Sequence, residues 1–190
     1  MTARRFSLTE FYPILLNASY SIPLIKSWAK DRRIKKSFRQ RIFLAISGVN
    51  GCAMCSFVHT KIALQEGMEV AEIKEVLQGE FENIPKEEVI GVLFAQDYAA
   101  SKEQVDTKSW QRLVTEYGEQ KANCVLHVSQ IITFTTTIGI TLDSFKDRFR
   151  FRKGHNNIFR EFVMLLSVFI LFPIAFVVNW VRIRLTKANR

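Results

Sequence analysis

The sequence predicts an all-α protein, on three observations. Apolar residues recur three or four positions apart through most of the chain, as a helix with one buried face requires. Glycines and capping residues divide these runs at helical lengths. The one stretch with strand-like composition, Ile131 to Thr141, has no partner strand evident elsewhere, so it too is read as helix.

Taken in order, the N-terminal run "MTARRFSLTEFYPILLNASYSIPLIKSW" has two arginines and then apolar residues, which superficially suggests a signal peptide. Two prolines, Asn17 and hydroxyl-bearing residues interrupt it, and no A-x-A-like cleavage site follows. It is expected to be a folded segment in a reducing, cytosolic compartment. From Lys26 to Ser47, Trp28, Ile34, Phe38, Ile42, Phe43 and Ile46 line one face opposite a basic one, which predicts an amphipathic helix. Asn50 and Gly51 end it, and a second helix is predicted from about Cys52 to Gly67. A short helix over "MEVAEIKEVLQGE" follows, then a turn at Asn83 to Pro85 and a helix from Lys86. Next come a helix capped by Asp106 or Thr107 and a long one through "EQKANCVLHVSQIITFTTTIGITLDSF".

The last segment differs. Phe162 to Val181 is a stretch of twenty residues without a charge, which as a helix spans about 30 Å, the thickness of bilayer hydrocarbon. A proline inside, a tryptophan near the end and basic residues on both sides fit a single membrane-spanning helix; a buried core helix or a hairpin in one leaflet is the competing reading. The organisation expected is a helical domain over 1–145, a basic juxtamembrane segment over 146–160, and a transmembrane helix with a basic tail over 161–190.

The chain has 190 residues, enough for one ordinary domain with a core, and carries a formal net charge of +9. Six Lys or Arg against one Asp lie between Lys146 and Arg160, and four more basic residues lie in the last nine positions. The excess thus brackets the apolar block, as membrane headgroups favour, and is not distributed over a face that could read nucleic acid. Six before against four after weakly favours a cytoplasmic main domain in the cell membrane.

The chemistry concentrates in "GVNGCAMCSFVHTK". Three cysteines in all, Cys52, Cys55 and Cys124, are too few and of the wrong parity for a secreted disulfide scaffold. If Cys52 opens a helix, Cys55 follows about one turn later and shares a face with His59. The N–H groups and dipole of a first turn stabilise thiolates, and an imidazole can accept a thiol proton. Two cysteines so spaced can also close a disulfide, which gives an oxidised thiol its resolving partner. Structural zinc, with Cys124, His127 or His155 completing the ligands, and inert core cysteines remain open alternatives.

An amphipathic helix ending in N-G-C, then C-x-x-C-x-x-x-H, then a helix continuing to "ALQEG" resembles the carboxymuconolactone decarboxylase and alkylhydroperoxidase-D superfamily, in its thiol-redox branch. The resemblance covers about Phe38 to Leu77. It implies an all-helical, often oligomeric fold with no cofactor or metal. In peroxidase members the residue matching Cys55 attacks a hydroperoxide, the one matching Cys52 resolves it as a disulfide, and the one matching His59 joins a proton relay. A dithiol partner, lipoyl- or thioredoxin-like, then reduces the disulfide. The relay glutamate of the family falls on Gln40, which can orient a neighbour but cannot carry a proton. Met54 stands where an aromatic or histidine side chain is common. The function implied is thus a membrane-anchored thiol peroxidase or disulfide oxidoreductase; the alternative is a redox-sensing or scaffolding membrane protein with the same fold.

Overall fold

The described residues are all-helical in their regular structure, as expected. The computed structural model describes residues 3–28, 34–149 and 158–188, and among them are seven helices and no strand. They are α1 (Leu8–Trp28), α2 (Lys36–Asn50), α3 (Ala53–Gln65), α4 (Val70–Gln78), α5 (Lys86–Ala100), α6 (Thr107–Phe149) and α7 (Ile158–Ala188).

The helix expected over Lys26–Ser47 is divided differently. Lys26 to Trp28 end α1, residues 29–33 lie outside the described residues, and α2 begins only at Lys36. The basic run had masked the boundary, because charged residues fit a helix's solvent face as well as a connection. At its other end α2 stops as anticipated: Gly51 takes φ 66°, and its N–H reaches back to the Gly48 carbonyl. Asp106 accepts from the Ser109 N–H and so caps α6. The two consecutive helices expected after Asp106 form and meet at Gly118, whose φ of 72° and ψ of 159° are not helical; both are included in α6.

In the strand-like part of α6, which is helical, most of the hydroxyls bond back along the helix, Thr133 being the buried exception. Thr137 donates to the Thr133 carbonyl, Thr141 to the Thr137 carbonyl and Thr136 to the Thr133 carbonyl. A buried threonine that bonds back along its own helix needs no partner strand.

Two apolar clusters hold these elements. One joins α2 to α6 through Phe38, Ile42, Ile46, Ile73, Val92 and Val125. At its edge Arg41 of α2 donates to Glu72 of α4 and, at 2.7 Å, to Glu88 of α5, all three side chains being buried. The other cluster joins Phe6, Phe11, Ile14 and Leu15 to Phe134 and Ile140 of α6 and Met164 of α7.

Helix α7 runs antiparallel to the second half of α6. Ser144 donates to Glu161, Thr141 to the Met164 sulfur at 3.8 Å, and the Phe134 and Phe172 rings stack at 4.9 Å. Farther along, the Asn179 amide donates to Ser19 of α1 at 2.9 Å. The C-terminal helix is apolar and long enough to cross a membrane, and only 17% of its apolar window is buried, against 67% for α6. That difference separates a core helix from one whose outer face is left exposed.

Candidate functional site

Cys52 is the N-cap of α3, and its sulfur accepts the Cys55 N–H at 3.3 Å. The turn that Gly51 permits brings the two cysteines together at a Cα separation of 5.3 Å, and their sulfurs are joined as a disulfide. Both lie at the start of α3, where unsatisfied N–H groups and the dipole favour negative charge on a released sulfur.

The pair is enclosed. Cys52 is 2% exposed and Cys55 8%, within the apolar cluster formed by the N-terminal segment, α6 and α7. Helix α6 approaches them at Gly139: a Cβ there would lie 2.9 Å from the Cys55 sulfur and 3.0 Å from that of Cys52. A small cavity of about 110 Å³ opens beside Cys52, lined by Ala3, Gly51, Ala53, Met54, Gly139, Ile140 and Asp143. The Ala3 side of this cavity is tied down by its neighbour. Arg4 donates to both oxygens of Glu103 at 2.7 and 2.9 Å and to Glu10 at 3.1 Å, while its backbone N–H reaches the Asn50 carbonyl.

His59 lies one turn after Cys55 on α3. Its Nδ1 is 3.0 Å from Gln40 Oε1, and its ring meets the Phe43 ring edge-on at 4.6 Å. An amide oxygen only accepts, so Nδ1 donates the hydrogen and Nε2 is left as the basic nitrogen. Burial lowers the His59 pKa to about 4, which keeps the ring neutral at physiological pH.

The four residues singled out from the sequence form two pairs at and after the α3 start: Cys52 bonded to Cys55, and His59 to Gln40. Among the described residues no group of three or more His, Cys, Asp or Glu is arranged to hold a metal. Cys124 is buried in α6, His127 is engaged by Ser21 at 2.8 Å and Gln130 at 3.1 Å, and His155 lies outside the described residues. Gly139, Asp143 and the N-terminal wall were not found from sequence. They are far from the motif along the chain, and nothing local to them carries a signal.

Fold and site together define an all-helical protein with a CxxC disulfide at a helix start and a neutral histidine one turn on. Residues 24–80 match the model of the Carboxymuconolactone decarboxylase family. The spacing of Cys52, Cys55 and His59 is consistent with the CxxCxxxH branch. Gln40, Cys52, Cys55 and His59 all lie inside the matched segment, whereas Gly139 and Asp143 lie outside it. No curated protein and no solved structure matches the chain.

Proposed function

We propose that the chain is a thiol-dependent peroxidase of the disulfide-oxidoreductase type, held at the cell membrane by α7. The observation that carries this reading is the disulfide between Cys52 and Cys55 at the α3 start, with His59 oriented by Gln40 one turn away. A lipoyl- or thioredoxin-like dithiol reduces the pair, giving two thiols and its own disulfide. The Cys55 thiolate then attacks the hydroperoxide: the O–O bond breaks, an alcohol leaves with one proton, and Cys55 becomes a sulfenic acid. Cys52 displaces the hydroxyl as water and the disulfide returns.

In that cycle His59 Nε2 is the proton acceptor for Cys55, and Gln40 fixes the tautomer that exposes it. A base with a pKa of about 4 holds a proton poorly at neutral pH, so turnover is slow compared with a site in which a carboxylate supports the imidazolium. The uncharged run within α7, its exposed outer face and its flanking cations support membrane attachment through this helix. A homo-oligomer is part of the same proposal, motivated by the exposed apolar side chains Phe57, Val58 and Leu64 on α3.

One observation favours a second reading, a redox sensor without turnover: the sulfurs are nearly closed to solvent. The test that separates the two uses full-length protein in detergent with cumene hydroperoxide and reduced lipoamide. Dithiol-dependent loss of many equivalents of peroxide, abolished by Cys55→Ser, supports the peroxidase. Consumption that stops at one equivalent supports the sensor, and no reaction of the pair with peroxide overturns both.

A further inference from the structure

Helix α1 is turned the wrong way round for water. From Phe11 to Ile25 it carries no charge, and the polar side chains of this run face the protein. Asn17 bonds the Tyr98 hydroxyl of α5, Ser19 accepts the Asn179 amide of α7 at 2.9 Å, and Ser21 lies 2.8 Å from His127 Nδ1 of α6. What faces outward is apolar or aromatic. Tyr12, Pro13, Leu16 and Tyr20 are exposed, Leu16 by 54%, and Tyr12, Leu16 and Tyr20 form one stripe at four-residue spacing. A helix against water sets its polar residues on that side, whereas a helix against hydrocarbon keeps them for bonds to its neighbours.

The same inversion holds in α7, where Ser167 is buried and Asn179 turns to Ser19 while Phe169, Ile174 and Val178 face outward. The two helices run in the same direction, since Phe6 and Phe11 share a cluster with Met164 whereas Ser19 meets Asn179 farther along α7. Counted at equal rise from that bond, Tyr12 is level with Phe172 and Tyr20 with Trp180, so the α1 stripe falls inside the uncharged run of α7. Exposed cations bound both ends: Arg5 before α1, and Arg182 and Arg184 beyond the run in α7. From this geometry we infer that α1 is a second lipid-facing helix: Tyr12, Leu16 and Tyr20 lie against the acyl chains of the bilayer that holds α7, and the bounding cations meet its headgroups. Continuity with the α7 face at one level selects this occupant. A second copy of the chain seated there would bring cations against cations in either orientation. The inference rests on the reading of α7 as the membrane attachment; α7 supplies most of the face and α1 widens it.

The test reads what touches each helix. Full-length protein with a nitroxide label at Leu16→Cys, at Val178→Cys on α7 or at Lys74→Cys on the exposed side of α4 is reconstituted into vesicles of phosphatidylcholine and phosphatidylglycerol. Protein without an added cysteine, taken through the same labelling, gives the background. Collisions of each label with oxygen, which enters hydrocarbon, are compared with those of a water-soluble nickel chelate. The ratio of oxygen to nickel collisions at position 16 should match that at 178 and be reversed at 74. A nickel-dominated label at 16 beside an oxygen-dominated one at 178 overturns the inference and leaves the α7 attachment standing. A label at 16 closed to both reagents means that protein, such as a second copy, covers α1, and also overturns it. Nickel-dominated labels at both 16 and 178 overturn the attachment and the inference together. Tyr20→Cys repeats the reading one turn along should Leu16→Cys fail to fold, and circular dichroism checks each variant.

Discussion

Gln40 Oε1 accepts the Nδ1 hydrogen of His59 at 3.0 Å, so the half-buried imidazole is oriented without being charged. A carboxylate in the same place would pair with the imidazolium and raise the His59 pKa from about 4 toward its ordinary value. The expected result for Gln40→Glu is therefore a stronger base for Cys55 and a peroxidase rate at neutral pH about tenfold higher or more. Steady-state peroxide consumption and the His59 titration followed by NMR check it together. A raised pKa with no gain in rate would place His59 outside the proton path.

The same depressed pKa makes a stability prediction. Unfolded His59 binds a proton near its ordinary pKa of 6.5, whereas folded His59 does so only at about 4. The stability associated with the neutral ring is thus present above about 6.5 and is lost as pH falls toward 4. Burial also lowers the His127 pKa and acts in the same direction. It pushes the carboxyls of Glu88 and Glu103 up, which opposes the trend over an overlapping range. The His59→Gln variant isolates the contribution: its melting temperature should fall less steeply than that of the wild type as pH drops through this window.

Gly139 predicts a packing effect at the disulfide. In Gly139→Ala the new methyl would sit 2.9 to 3.0 Å from both sulfurs and 3.2 Å from the Met54 methyl. Alanine gains about 1 kcal/mol of helix propensity over glycine, but overpacking a filled site costs about 1–3 kcal/mol. Met54 can move, whereas the sulfurs are fixed by the α3 start, so net destabilisation is expected. Gly139→Val should be worse than Gly139→Ala and should slow disulfide closure after oxidation. Denaturant unfolding and a timed thiol assay measure the two effects.

The sequence made the motif legible because its geometry is local. A helix start, a CxxC spacing and an i, i+4 histidine are fixed within about eight residues by backbone geometry. Gln40 came from the resemblance, since no local rule links it to His59. The strand-like composition of Ile131 to Thr141 was correctly set aside, and the back-bonded threonines supply the reason. Burial of the sulfurs was not legible. It depends on Phe6 and Phe11 from the N-terminal segment and on Ile140 and Met164 from the last two helices, and no pattern in the motif encodes which distant residues cover it. Nor was the side-on packing of α7, because an uncharged run looks the same whether or not one face meets protein.

Arg41 illustrates a second feature that sequence hid, since a basic residue in a basic run reads as solvated. It is 6% exposed and bonded to two buried carboxylates, Glu72 and Glu88. Replacing it with Met leaves both acids without their cation, and breaking a buried pair in this way costs about 3–5 kcal/mol. The expected outcome for Arg41→Met is a large loss in thermal stability. Arg41→Met combined with Glu72→Gln and Glu88→Gln should recover part of it, which a simple loss of packing would not allow.

Helix α7 carries the last prediction. Its inner face meets α1 and α6 through Met164, Phe172 and Asn179, and its outer face leaves Phe162, Phe169, Ile174 and Val178 more than half exposed. Removing residues 158–190 would uncover Phe134 and Ile140, so the truncated chain is expected to aggregate, and its solubility is a poor test of anchoring. Substitutions on the outer face avoid that problem. A charged residue at the middle of a membrane helix costs about 2.5–3.5 kcal/mol on insertion scales, so Phe169→Arg with Ile174→Arg should move the protein from the membrane pellet to the supernatant. The helical circular dichroism should remain, because neither residue is buried against the domain. If the double variant stays with the membrane, α7 is not what holds the chain there.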